Sequence, residues 1–189
     1  MSLRIVIPVK PFDEAKSRLA PELDADSRAR LARQLFLHVF ETVRKFANCR
    51  NVIVVSRAAE VLTLAEAAGA IALRESSPPE LNAALDQTAQ FTSKSGATRI
   101  LVVASDLPLL SPADLAALAQ GACSIAPDRH RRGTNALLWP VVLGFRFGAD
   151  SFENHAAAAR AAGFDPVIVL RRGLAHDVDV PDDLKDLPF

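Results

Sequence analysis

Asp106 stands just past an unbroken apolar run, Ile100 to Ala104, in the stretch ILVVASDLPLL. A row of branched apolar residues reads as a strand buried on both faces, and Pro108 stops that strand from continuing. A carboxylate there lies on the edge where open α/β sheets bind ligands. Far along the chain, Ala175 to Val180 (AHDVDV) alternates strictly. As a strand it would put Asp177 and Asp179 on one face and Val178 and Val180 on the other. Two carboxylates from separate strands can hold Mg²⁺, a hard ion that prefers oxygen ligands; a solvated edge strand is the plain alternative.

Cations oppose these acids. The loop KPFDEAKSRLAP places Lys10, Lys16 and Arg18 within nine residues, directly after a first apolar run from Leu3 to Val9. Such a loop either grips phosphate or is merely solvated, and it has neither the GxxxxGK[ST] nor the GxGxxG spacing of the familiar phosphate cradles. The segment 128–135, DRHRRGTN, is the most basic loop and reads as a phosphate-gripping lid or as a solvated hairpin. In FRFGADS, Gly148 and Ser151 precede a helical run, the order of a backbone-amide anion site at a helix N-terminus or of an ordinary capped helix. Asn82 follows the polar loop RESSPPE, where it either contacts a base or starts a helix. No Ser-His-Asp or Cys-His nucleophile arrangement is discernible, the four histidines lack metal-binding spacing, and His38 is assigned no role. Cys49 and Cys123 read as buried packing residues.

The elements that must position these groups alternate. Strands are expected over 3–9, 51–56, 70–73, 100–104, 122–127, 136–139, 165–170 and 175–180. Helices are expected over 24–48, 58–69, 81–92, a segment opened by Ser111, Pro112 and Asp114, and 152–162. The fold is therefore α/β, with a mostly parallel central sheet, helices on both faces and a small antiparallel extension in the last third. The 189 residues fit one domain, 1–189. Because 22 basic residues balance 22 acidic ones, nucleic acid is a poor partner and a small ligand a better one. No apolar run approaches the roughly 20 residues of a membrane span, so no membrane partner and a cytoplasmic location are expected. Nothing in the sequence speaks to oligomeric state.

Six segments in order, IPVKPFDEAKSRLAP, LNAAL, SDLPLL, PDRHRRGTNALL, FGADSF and DVDVPDDL, together resemble the 2-phospholactate guanylyltransferase family over essentially the whole chain. These are nucleotidyltransferases of the glycosyltransferase-A-like fold that act in biosynthesis of the deazaflavin coenzyme F-420. The resemblance implies condensation of GTP with 2-phospho-L-lactate, phosphoenolpyruvate or 3-phospho-D-glycerate, with release of pyrophosphate and Mg²⁺ as cofactor. It makes Asp106 the principal metal ligand and Asp177 a second, with Asp179 a further candidate. It places Lys10, Lys16 and Arg18 where the triphosphate meets the acceptor phosphate, so these join Asp106 as catalytic and nucleotide-binding residues, with Asn82 in the nucleotide set. Thr134, Gly148 and Ser151 match the positions that hold the phosphorylated acid. Pro78, Pro79 and Glu80 stand where most relatives have glycines, a departure that falls on the base pocket. The competing readings are a molybdopterin guanylyl- or cytidylyltransferase, which usually carries a glycine-rich first loop, and a non-catalytic nucleotide-binding module.

Overall fold

Strands without a polar face need a covering layer on each side, and this chain supplies two. The computed structural model describes residues 2–76 and 80–188. Its strands are β1 (Ser2–Pro8), β2 (Val52–Ser56), β3 (Ile71–Arg74), β4 (Ala97–Val103), β5 (Ser124–Pro127), β6 (Thr134–Pro140) and β7 (Val167–Ile168). Its helices are α1 (Ala25–Phe46), α2 (Ala59–Ala67), α3 (Leu81–Ser93), α4 (Pro112–Leu118), α5 (Ser151–Ala161) and α6 (Arg172–Ala175). Alternate residues of the central strands go to opposite cores. Ile5, Ile7, Val52, Val54, Leu101 and Val103 pack with Phe36, Val39 and Leu115. Val6, Ile53, Val55, Ile100 and Val102 pack with Leu85, Trp139 and Ala159. Each fully buried Val, Leu or Ile contributes roughly 1.5–3 kcal/mol, so this two-sided sheet is the main stabilising feature. Phe36, buried between Phe12 and Phe40, is a single point of weakness, since truncation to alanine there costs about 3–5 kcal/mol.

Helix boundaries follow local chemistry. The Asp24 side chain accepts the Ser27 N–H at 2.7 Å to open α1, and Leu31, Leu35, Val39 and Val43 form its buried stripe. Ser111 and Asp114 form a reciprocal capping box at α4, with Pro112 at its first position. Among the described residues, no helix is long and apolar enough to cross a membrane. Cys123 is buried, which pushes its thiol up to about 11; Cys49 is only half-buried.

The sheet order is β3-β2-β1-β4-β6-β5-β7. β1 pairs in parallel with both β2 and β4, so successive connections leave it in opposite directions and open a crevice at the C-terminal ends of β1 and β4. β6 is antiparallel to both β4 and β5, as the last third of the sequence implied. That inversion matters for the site, because it brings the start of β6 beside the end of β4: Val103 faces Ala136, and the Ala104 N–H donates to the Asn135 carbonyl at 2.9 Å.

Two expectations are corrected here. Thr134 and Asn135 belong to the strand β6 and not to the preceding loop, which is a short hairpin closed by Asp128. Its carboxylate accepts the Arg132 and Gly133 N–H groups at 2.9 and 2.8 Å. The segment 175–180 is not a strand. The end of α6 is followed by an extended, unpaired stretch and a 3-10 turn over Pro181–Asp186. The alternation survives without a ladder, because Val178 is buried against Leu19, Leu31 and Leu35 while side chains elsewhere pin the backbone.

Candidate active site

A cleft of about 640 Å³ opens at the C-terminal edge of β1 and β4. Lys10, Lys16, Arg18, Ser105, Asp106 and Asp179 line it at one end, and Val55, Arg57, Glu75, Glu80, Leu81 and Ala84 at the other. Pro78 and Pro79 lie outside the described residues; Glu80 is exposed at the start of α3.

The charged end is assembled around Lys16. This residue takes a left-handed backbone (φ 58°) at the start of a 3-10 turn over Ser17–Leu19 whose Leu19 is buried. A non-glycine residue held there costs of order 1–3 kcal/mol, so the surrounding packing must impose it. The conformation delivers the ammonium, its side chain only 7% exposed, to within 2.5 Å of Asp106 Oδ2. The same ammonium donates to the Val178 carbonyl at 2.6 Å and lies 3.9 Å from Asp179. Arg18 pairs with Asp179 at 2.8 Å from the solvent side. Lys10 is exposed on the cleft wall.

Asp177 belongs to the same group. Its carboxyl is raised above its ordinary value because it is half-buried and because the negative charge of Asp106 acts on it, with Asp179 adding to the effect. Asn135 Nδ2 donates to it at 3.3 Å, a contact that β6 supplies and that sequence reasoning missed. Asp183 holds the backbone of this segment: its buried carboxylate accepts the Asp179 and Val180 N–H groups at 2.6 and 2.8 Å and pairs with Arg129. Among the described residues, no three carboxylate, histidine or cysteine groups gather into a metal-binding cluster. A Mg²⁺ site does not need three, because this ion is commonly held by one or two carboxylates plus water and substrate phosphate. Carboxylate oxygens such as those of Asp106 and Asp177, contributed by separate segments, are the donor type such an ion prefers.

Gly148 and Ser151 share one turn and Thr134 is linked to it through His155, with Phe147 of the same loop on the cleft wall. Thr134 and Ser151 are buried, and Gly148 has a left-handed φ of 124° with open space where a Cβ would stand. Two amides of the α5 start are already engaged, Ser151 N–H with the Gly148 carbonyl at 3.3 Å and Phe152 N–H with the Arg132 carbonyl at 3.1 Å. An anion here would therefore draw on the Ser151 and Thr134 hydroxyls and on Gly148 more than on the helix end. The residue that joins Thr134 to this loop is His155, to which sequence reasoning assigned no role; Thr134 Oγ1 and His155 Nδ1 are 3.1 Å apart. Asn82 is also turned toward this loop. Its Oδ1 accepts the Phe147 N–H at 2.7 Å and its Nδ2 donates to the Phe147 carbonyl at 3.0 Å, so both polar atoms are engaged by the chain.

The mostly parallel sheet, with its cleft at the C-terminal edge, has the glycosyltransferase-A-like fold of nucleotidyltransferases. The structure superposes on a crystal structure described as a nucleotide-diphospho-sugar transferase from Desulfovibrio desulfuricans with a TM-score of 0.77 at 18% identity, covering 97% of this chain and 85% of that one. The chain belongs to the guanylyl transferase CofC-like family, which matches it over residues 3–189. It is 41% identical to a phosphoenolpyruvate guanylyltransferase of Rubrobacter xylanophilus, over 99% of this chain and 94% of that protein. It is 32% identical to a 2-phospho-L-lactate guanylyltransferase of Methanothermobacter thermautotrophicus, over 96% and 82% respectively.

Proposed function

We propose that this protein transfers the guanylyl group of GTP to the phosphate of phosphoenolpyruvate, releasing pyrophosphate, as a step in biosynthesis of coenzyme F-420. The observation that carries the reading is the joining of Lys16, Asp106 and Asp179, contributed by three distant parts of the chain, at one end of a nucleotide-sized cleft, with Asp177 near enough to feel the charge of Asp106. The opposite end offers apolar contacts from Val55, Leu81 and Ala84 together with the carboxylates of Glu75 and Glu80. Guanine presents two adjacent donors, N1–H and the 2-amino group, which a carboxylate can accept together. The phosphoenolpyruvate name belongs to the relative at 41% identity and the phospholactate name to one at 32%, and this favours the enol acid.

A phosphate oxygen of the acid attacks the α-phosphorus of GTP. The new P–O bond forms as the bond to the β-phosphate oxygen breaks, and pyrophosphate leaves with that electron pair. Because the attacking oxygen is already deprotonated at neutral pH, the chain needs no general base. Its work is to neutralise charge and align two anions. Asp106 and Asp177 would hold Mg²⁺, which when bound supplies Lewis-acid stabilisation of the phosphoryl oxygens. Lys10, Lys16 and Arg18 counter the charge of the departing pyrophosphate. Thr134, Gly148 and Ser151 hold the acid.

Pyrophosphate release with Mg²⁺ and GTP, offered phosphoenolpyruvate, 2-phospho-L-lactate and 3-phospho-D-glycerate in turn, tests this. Turnover should be fastest with phosphoenolpyruvate, with a product of the mass of the guanosine-diphospho-linked acid. Faster turnover with another of the three would move the substrate assignment to that acid. GTP binding without pyrophosphate release from any of them would instead identify a nucleotide-binding module.

A further inference from the structure

His155 lies in α5, one turn beyond Ser151, with none of its surface exposed. It touches Thr134 and both residues that lead into Gly148, Arg146 and Phe147 being Gly148's neighbours on that side. Its Nε2 accepts the Arg146 backbone N–H at 3.0 Å. A ring nitrogen that accepts a hydrogen bond carries no proton, so the proton of the neutral ring sits on Nδ1. Nδ1 is the atom 3.1 Å from Thr134 Oγ1, so the threonine accepts there, sharing the Nδ1–H with the Ser151 carbonyl, and its own hydroxyl hydrogen remains free to donate elsewhere. Burial, reinforced by the positive charge of Arg146, takes the imidazole down to about 4 against a bond to the Ser151 carbonyl that opposes the change. Edge-on contacts with Trp139 and Phe147, at 5.3 and 4.8 Å between ring centroids, leave the ring one orientation. From the opposite side Asn82 holds both polar atoms of Phe147, so the peptide groups leading into Gly148 are fixed between α3 and α5.

We infer that His155 is a positioning residue for the phosphorylated acid: held as the neutral Nδ1–H tautomer, it turns the Thr134 hydroxyl outward as a donor and fixes the Arg146–Phe147 backbone that delivers Gly148. The inference rests on the reading that the acid binds at Thr134, Gly148 and Ser151. His155 itself touches no substrate. Its effect belongs to the acid and not to the nucleotide, whose proposed contacts lie in the cleft.

Pyrophosphate release is measured with phosphoenolpyruvate varied at saturating GTP, and then with GTP varied. His155→Phe should raise the KM for phosphoenolpyruvate about tenfold or more, the loss of one well-placed hydrogen bond, while the KM for GTP stays within about twofold. His155→Asn, whose amide can stand near Nδ1, should recover more of the lost affinity than His155→Gln, whose amide stands near Nε2. A KM for phosphoenolpyruvate that stays within twofold, or a parallel rise in both KM values, would overturn the inference. Wild-type enzyme in the same assay separates the two layers, since a wild type that releases no pyrophosphate with any acid refutes the proposed reaction instead. Nitrogen-15 spectra of the wild-type histidines read the tautomer independently of turnover or of variant folding. Nε2 should be unprotonated at pH 7, and a proton found there would equally defeat the proposal.

Discussion

The charged end of the cleft and the group around Thr134 are built from opposite materials. Around Asp106 ion pairs dominate: one ammonium serves a carboxylate and a backbone carbonyl, and a guanidinium faces Asp179. Around Thr134 the contacts run through a neutral imidazole, a carboxamide and backbone groups. Charged partners can be exchanged for others of the same sign when a Mg²⁺-nucleotide complex arrives, because Lys16 and the metal would compete for the same Asp106 oxygen. Neutral, directional, buried hydrogen bonds cannot be exchanged in that way and instead fix one geometry. In the proposed reaction the first end would receive the polyanion and its cation, and the second would measure the small acid.

The sharpest way to break this contrast is at Asp106. Asp106→Asn keeps the volume and removes the charge, so pyrophosphate release should fall by about a thousandfold or more, the scale of losing a principal electrostatic contact in a transferase site. The variant should fold normally, as judged by circular dichroism. Turnover within tenfold of wild type would remove Asp106 from the metal and from the chemistry.

Lys16→Met follows. It strips the cation from a site where Asp106 is 23% exposed and the lysine 7%, leaving a carboxylate with no close counter-charge. Loss of one partner from such a pair costs about 3 kcal/mol of stability when burial is substantial, and turnover should fall by roughly a hundredfold. Mg²⁺ binding without nucleotide should tighten because its competitor is gone. Weaker Mg²⁺ binding in the variant would show that lysine and metal do not compete.

The sequence carried the charged end more plainly than the neutral one, for physical reasons. Asp106 was legible because its strand and the breaker Pro108 are local signals. Asp177 and Asp179 were legible as an alternating pair, although their segment lacks the sheet partner that alternation implied. The lysine spacing singled out Lys16 but not its strained φ, which depends on Leu19 reaching a core built from α1. Asn135, His155 and the true partner of Asn82 were hidden. Each acts across a long separation, as from Asn82 to Phe147, and only the antiparallel turn of β6 brings Thr134 and Asn135 to the β4 edge. A buried histidine among alanines has no local pattern to distinguish it. The sheet, by contrast, was readable because short β-branched runs such as Val52–Val55 are apolar throughout, as in a strand covered on both faces.

The neutral end should reveal itself in the pH dependence of stability. His155 titrates near 4 in the folded protein and near 6.5 in the unfolded chain. Between those values the unfolded chain binds a proton that the folded protein does not, so stability is fully present above about 6.5 and is lost as pH falls toward 4. This group alone accounts for about 3 kcal/mol over that window. Urea unfolding at pH 7 and pH 4.5 should show the loss in wild type and a shallower slope in His155→Phe. An identical slope in the two proteins would mean that the imidazole is not held neutral.

The smallest effect separates exposed charge from buried charge within the charged end itself. Arg18 contacts Asp179 at 2.8 Å, but its side chain is 73% exposed, so water and salt screen the pair and its conformational entropy opposes it. Arg18→Gln should therefore change the unfolding free energy by less than about 1 kcal/mol, well below the cost at Lys16. Turnover should still drop by roughly tenfold, because charge developing on pyrophosphate would lose one counter-ion. A stability loss as large as that of Lys16→Met would place Arg18 in the frame of the site, and unchanged turnover would leave Lys10 and Lys16 as the cations that face the triphosphate.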